Sequence, residues 1–458
     1  MALVEELASF VVNASYDHLS DAARQQLKIR ILDSLGCAVG ALSSEPAQLI
    51  RRHLEDFGGR KLCTLIGGGS TAPDRAALYN SALVRYLDFN DTYLASGEAC
   101  HPSDNLGAVL AACQYAGGSG KDLLTALAVA YQVQTRLSDV APVRAKGFDH
   151  TTQGSYAVAA GVSKALGLDA ERTAHALAIS GTAFNALRVT RTGALSHWKG
   201  LAYPNTAACC TQAAFLAMHG ITGPREVFEG NKGFMDAISG PFHIDWSRED
   251  LERVNRTIIK KYNAEAHSQT AIEGVMELKV SPGFDPSDVA RVEVETFDAA
   301  YNIIGGGEEG GKKVVRTKEE ADHSLPYIVA VAILDGEVTP EQYLPDRIHR
   351  DDVQALLQKV VVRTSESYSS KFPNEMPCLL KIFLKDGKLL TTEKRGYEGF
   401  HSRPVQWSGA VAKFERLSCS HTSVLLRGQI VDAVSSLESI RVADLARLLG
   451  RVKEAGAT

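Results

Sequence analysis

At 458 residues the chain is long enough to bury a large core and is expected to form two domains. Its 45% apolar and 22% charged content is that of an ordinary globular protein, and a net charge of −5 argues against a nucleic-acid surface while leaving room for a local cationic pocket. No run approaches about 18 uninterrupted apolar residues, so no membrane span is expected; the N-terminal MALVEELASFVVNASYDHL lacks the basic start of a signal peptide and the Arg-rich bias of a transit peptide, and the chain reads as cytoplasmic.

Helical spacing of apolar residues marks 3–12 and 19–42 as helices, the second carrying Asp33 as a core-edge carboxylate. LCTLIGGG at 62–69 reads as a short extended piece and a turn; no lysine and hydroxyl pair follows, so it is not a phosphate loop. Ser70-Thr71-Ala72-Pro73 then opens a helix running through AALYNSALVRYL toward Asp88. Residues 85–108, RYLDFNDTYLASGEACHPSDNLGA, gather Asp88, Asp91, Thr92, Glu98, His101 and Asp104. Carboxylates and an imidazole grouped this closely suit acid/base chemistry, because burial and neighbouring charge shift their pKa values. On a helix, Asp88, Asp91 and Thr92 would share one face. Pro102 disfavours the α conformation at His101, which is expected on a turn. A capped helix end is the other reading of this stretch.

LGAVLAACQYAG and GKDLLTALAVAYQVQTRLSDV are strongly helical. GFDHTTQGSYAVAAGVSKALGL places His150 in a loop before another helix, with Thr151 and Thr152 as candidate caps. AERTAHALAISGTAF is helical again. In RTGALSHWKGLAYPNTAACC, Lys199 precedes a small-residue helix, where a point charge near a helix N-terminus suits an anion; Arg188 and Arg191 are close in sequence. IIKKYNAEAHSQTAIEGVM offers Lys260, Lys261 and His267 just before a helix.

The pattern then changes. DVARVEVETFDAA alternates as a half-buried strand does. Gly306 to Lys312 approaches a nucleotide-binding loop, but Lys313 stands where a hydroxyl is required and no buried strand leads in. TKEEADHSLPYIVAVAILDG reads as a capped helix carrying His323 and Tyr327, the latter either a catalytic acid or hydrogen-bond donor in a site or a core tyrosine. IHRDDVQALLQKVVVRT is helix then strand, and CLLKIFLKDGKLLTTEKR is a hairpin about Asp386-Gly387. The remainder returns to helix. The eight cysteines form no C-x-x-C pair and read mostly as buried thiols; no iron–sulfur or zinc ligand pattern is visible, so no cofactor and no metal is expected. Helices before 265 and after 398, with strands between about 285 and 395, give a helical domain interrupted by an α+β domain.

LDFNDT followed by HPSDNLG is similar to the signature of the MmgE/PrpD family, and GFDH, W-K-G, NAEAHSQ, HSLPY and HSRP extend the resemblance through nearly the whole chain. The resemblance implies a mainly α protein: a large all-α domain over 1–266, a smaller α+β lid over 267–397, the helical domain resuming over 398–458, and a homodimer. It further implies a metal-independent lyase for a small tricarboxylate, first a 2-methylcitrate dehydratase, with cis-aconitate decarboxylase or another polycarboxylate dehydratase or epimerase as alternatives. Dehydration needs a base for the proton α to a carboxylate, an acid for the departing hydroxyl and cations for the carboxylates. The implied roles are His101 and His150 for acid and base in either order, Asp88 orienting one imidazole, Tyr327 as a further donor, and Thr92, Lys199, Lys260 and His267 holding the carboxylates. SHWKGLAYPNTA departs from the methylcitrate dehydratase pattern and bears on the exact substrate.

Overall fold

A computed structural model of the chain describes residues 2–453. They divide into two compact units, one of residues 2–188, Gly200–Thr257 and residues 406–453, the other of Val189–Lys199 and Ile258–Val405. The sequence placed divisions at 266/267 and 397/398. The stretch from Ile258 associates with the second unit because its backbone is bonded there, Asn263 N to the Val338 carbonyl at 2.9 Å and Glu265 N to the Asp322 carbonyl at 3.1 Å. The fold is mainly α, with a smaller α+β part.

The first unit is built from α1 (Leu3–Asn13), α2 (Asp21–Gly40), α3 (Glu45–Phe57), α4 (Pro73–Tyr86), α5 (Leu106–Ala116), α6 (Gly120–Val140), α7 (Thr151–Leu166), α8 (Ala170–Ala183) and most of α9 (Trp198–Met218). Local chemistry sets the starts. Ser20 Oγ accepts from Ala23 N, Ser119 and Asp122 form a reciprocal cap, and Pro73 occupies the first turn of α4. Ser70 and Thr71, read as cap residues, instead form β2 and pair with β1 (Cys63–Thr64). Small residues set the helix spacing. A Cβ on Gly107 would lie 2.4 Å from Ser81 N, and one on Gly154 would lie 2.5 Å from the Tyr203 ring, so α5 meets α4 and α7 meets α9 at distances only glycine permits. The helix Trp407–Ser418 packs on α2 and brings Lys413 Nζ to 2.7 Å from Asp33, the partner that this buried carboxylate requires. A second hairpin, β3 (Tyr93–Leu94) with β4 (Ala99–Cys100), pairs Tyr93 with Cys100. That register sets Thr92 opposite His101 at its base.

The second unit carries a four-stranded sheet of order β6-β5-β7-β8: β5 (Val289–Thr296), β6 (Val360–Thr364), β7 (Cys378–Leu384) and β8 (Leu389–Lys394). β5 runs parallel to β6 and antiparallel to β7, and β7–β8 is the hairpin read at Asp386-Gly387. A parallel pair needs a long crossover, and here it contains the helices Leu325–Asp335 and Asp351–Gln358. Those helices and α10 (Gln269–Lys279) bury Ile272, Val275, Ile328, Val331 and Leu357 with Val292, Val294, Leu380 and Ile382 of the sheet. The cysteines are free, and burial pushes the Cys63 thiol up to about 12. No described helix is long and apolar enough to cross a membrane.

Candidate active site

The helix delivering Asp88 ends earlier than its sequence suggests. α4 stops at Tyr86, and Asp88 has φ 54, a left-handed backbone. Asp88, Asp91 and Thr92 are therefore not one helical face; they lie on the irregular segment entering β3. Arg85, fully inside the fold, organises this segment. Its Nη1 is 2.9 Å from Asp88 Oδ1 and its Nε 3.5 Å from Asp104 Oδ2. Asp91 ties the two sides together: Oδ1 accepts from Ser103 N at 3.0 Å, and Oδ2 accepts from the Tyr131 hydroxyl at 2.7 Å and lies 3.9 Å from Arg30.

His101 stands between β4 and the 3-10 turn Pro102–Asn105, the turn position that Pro102 implied. Its Nδ1 lies 2.9 Å from the Asp91 carbonyl and 3.1 Å from Thr92 Oγ1. A carbonyl only accepts, so Nδ1 carries the hydrogen and Nε2 is the titrating nitrogen. Thr92 thus holds the imidazole. His150 precedes α7, and its Nδ1 lies 2.9 Å from Asp149 Oδ1, which also accepts from Thr151 N at 3.2 Å. Asp149, and not Thr151 or Thr152, serves the helix start. Arg188 Nη1 is 3.7 Å from the other Asp149 oxygen. The two imidazoles meet edge to face with ring centres 5.4 Å apart, and Tyr203 lies 5.8 Å from His150. His150 is 2% exposed. This unit therefore brings Asp88, Thr92, His101 and His150 onto neighbouring segments.

The second unit holds the cationic candidates. Lys199, the second residue of α9, is 3% exposed, with Nζ 2.7 Å from Asp322 Oδ1 and 2.8 Å from His323 Nδ1. Lys318 Nζ reaches the other Asp322 oxygen at 2.7 Å. Burial alone would raise the Asp322 carboxyl, but Lys199, Lys318 and His323 outweigh it and hold the group well below the usual carboxylate range. Asp322 and His323 sit in a break between the short helix Lys318–Ala321, capped by Thr317, and Leu325–Asp335, capped by Ser324; the sequence suggested one continuous helix. Lys260 is wholly buried, whereas Lys261 is at the surface with Glu398 at 3.1 Å and Glu273 at 3.5 Å. His267 Nδ1 lies 2.7 Å from Glu265 Oε1. Burial acts to raise Glu265, but His267, His323 and Lys260 hold it down to about 2. Tyr327 is in the core of this unit, its hydroxyl donating to the Gln342 carbonyl, so its geometry is that of a core tyrosine.

Sequence reading passed over Asp149, Arg85, Glu265, Asp322 and Lys318. Three of them had a visible signal: Asp149 adjoins His150, Asp322 adjoins His323, and Glu265 is two residues before His267.

Residues 5–247 match the family model described as the MmgE/PrpD N-terminal domain, and residues 262–438 match the MmgE/PrpD C-terminal domain. The mitochondrial 2-methylcitrate dehydratase of Yarrowia lipolytica is 28% identical over 420 residues, spanning 85% of this chain and 78% of that protein. Cis-aconitate decarboxylase of Mus musculus is 26% identical over 478 residues, spanning 98% and 93%. The 2-methylcitrate dehydratase of Escherichia coli K12 is 28% identical over 386 residues, spanning 78% and 76%.

Proposed function

The chain belongs to the MmgE/PrpD family, and on that footing we propose that it is a lyase acting on a small tricarboxylate, with 2-methylcitrate dehydration to 2-methyl-cis-aconitate as the leading reaction. The observation that carries the reading is the pair of imidazoles 5.4 Å apart, each with Nδ1 on a fixed acceptor. Two such rings supply both proton transfers that loss of water requires. His101, oriented by the neutral Asp91 carbonyl and Thr92 hydroxyl, takes the proton α to the substrate carboxylate. His150, backed by the Asp149 carboxylate, which stabilises positive charge on the ring, delivers a proton to the departing hydroxyl. Lys199, Lys260 and His267 supply positive charge for the substrate carboxylates and the negative charge that develops on one of them. Asp88 acts with Arg85 in holding the His101 segment. Tyr327 is assigned a packing role.

A second reading is cis-aconitate decarboxylation, favoured by the match to the mouse protein over 98% of this chain. The same acid would then protonate the carbanion left after CO2 departs. The test is incubation of chelator-treated protein with 2-methylcitrate, citrate and cis-aconitate in turn. A conjugated tricarboxylate formed from 2-methylcitrate, and lost in His101→Ala, is the expected result, and it also bears on metal independence. CO2 from cis-aconitate would move the assignment to the decarboxylase, and no reaction with any of the three would reject both. A homodimer in the cytoplasm completes the proposal, with light scattering as the check on subunit number.

A further inference from the structure

The turn between β3 and β4 carries a carboxylate that the proton chemistry above does not use. Glu98 is 4% exposed. Its Oε2 accepts from Val143 N at 3.0 Å and from Gln153 Nε2 at 2.7 Å, and Gln153 Nε2 also donates to the Ala141 carbonyl at 2.9 Å. Val143 opens the segment leading from α6 to His150, and Gln153 lies in the first turn of α7, three residues beyond His150. The hairpin tip packs on the same segment: a Cβ on Gly97 would lie 3.3 Å from Pro142. At the other end of the hairpin stand Thr92 and His101. One oxygen atom therefore fastens the element ending in His101 to the element starting at His150.

We propose that Glu98 is a positioning residue for the His101–His150 pair, clamping the two segments so that the rings keep their separation. The proposal rests on the acid/base reading of that pair. Its ionisable character adds a second property. A glutamine would satisfy the same two donors without burying a charge. Burial pushes the Glu98 carboxyl up to about 7 against the opposing pull of the Val143 and Gln153 donors. Asp149 raises it further and Arg188 lowers it; Cys100, two residues on, is held as a neutral thiol by burial. Oε1 is buried with no hydrogen-bond partner among the described residues. The carboxyl thus changes charge in the neutral range beside the partner of His150. Because the folded form binds the proton more tightly than the unfolded chain, this group adds stability below about pH 4.5 that is lost as pH rises toward 7.

The experiment compares wild type, Glu98→Gln and Glu98→Ala. Glu98→Gln keeps an acceptor oxygen and removes the titration; Glu98→Ala removes the clamp. The readouts are kcat and KM against pH, melting temperature against pH, and the imidazole resonances of the ligand-free protein labelled at histidine. In Glu98→Ala, kcat is expected to fall about 10–100-fold with KM within about twofold, as misplacement of reacting groups does, and the His101 and His150 resonances are expected to move. In Glu98→Gln those resonances are expected to return to their wild-type positions. One inflection near neutral pH disappears, and the melting temperature loses its decline between pH 5 and 7. Wild-type kinetics and resonances in Glu98→Ala would overturn the proposal, as would a fall in kcat with both resonances unmoved. An unchanged pH profile in Glu98→Gln would overturn the ionisation part. The resonances need no substrate: if they move in Glu98→Ala while no tricarboxylate is turned over, the clamp stands and the lyase reading fails.

Discussion

The histidine pair of the helical unit and the lysine–histidine group of the α+β unit use the same residue types to opposite ends. His101 is oriented by a carbonyl and a hydroxyl, neutral acceptors that fix a ring without fixing its charge. In the second unit, Lys199 and Lys318 share Asp322, and His267 lies against Glu265. There each carboxylate is held ionised by its cations, so the charges stay constant over the range where an enzyme works. The difference lies in the partners: His101 rests on neutral acceptors, whereas Asp322 and Glu265 are carboxylates kept ionised by the cations and imidazoles around them.

The widest gap should appear on truncation. His101→Ala is expected to lower turnover by about 10²–10⁴-fold with little change in unfolding midpoint; near-wild-type turnover would place proton transfer elsewhere. Asp322→Asn tests the other side. It leaves Lys199 and Lys318 facing a neutral amide, and urea unfolding should register a loss of about 3–5 kcal/mol, the usual outcome of removing one partner from a buried charge group. The comparison sharpens with acid. Glu265, held down to about 2 from 4.5, contributes stability that is complete above pH 4.5 and lost as pH falls toward 2, about 3 kcal/mol in all. Glu265→Gln should flatten that limb of the stability curve, whereas Glu98 acts with the opposite sign at higher pH. The smallest effect belongs to the surface: Lys261→Ala should cost less than about 1 kcal/mol, while truncation of wholly buried Lys260 should cost well beyond that in substrate binding.

Much of this arrangement could be read from the residues. Caps, apolar periodicity and one Asp-Gly turn were enough for α1, α2, α5–α8 and the β7–β8 hairpin, because those signals are local. The order of the four-stranded sheet was not legible, since the β5–β6 pairing joins segments separated by a whole crossover. The same division holds among the charged groups. Asp149-His150, Glu265-Ala266-His267 and Asp322-His323 set each carboxylate within two positions of its imidazole, a pattern visible in the chain and passed over. Lys199 and Asp322 are 123 positions apart, and only folding joins them. The shared helical face for Asp88, Asp91 and Thr92 failed for a local reason: the chain leaves the helix at Tyr86 and turns left-handed at Asp88.

That left-handed residue imposes a double filter on its position. A side chain there must accept from Arg85 and must also tolerate a positive φ. Glycine meets the second condition and not the first; glutamate meets the first and strains the backbone, at a cost of about 1–3 kcal/mol. Asparagine satisfies the backbone and keeps an acceptor oxygen but gives up the charge. Aspartate meets both conditions and adds the charge that pairs with Arg85, so this position tolerates few substitutions.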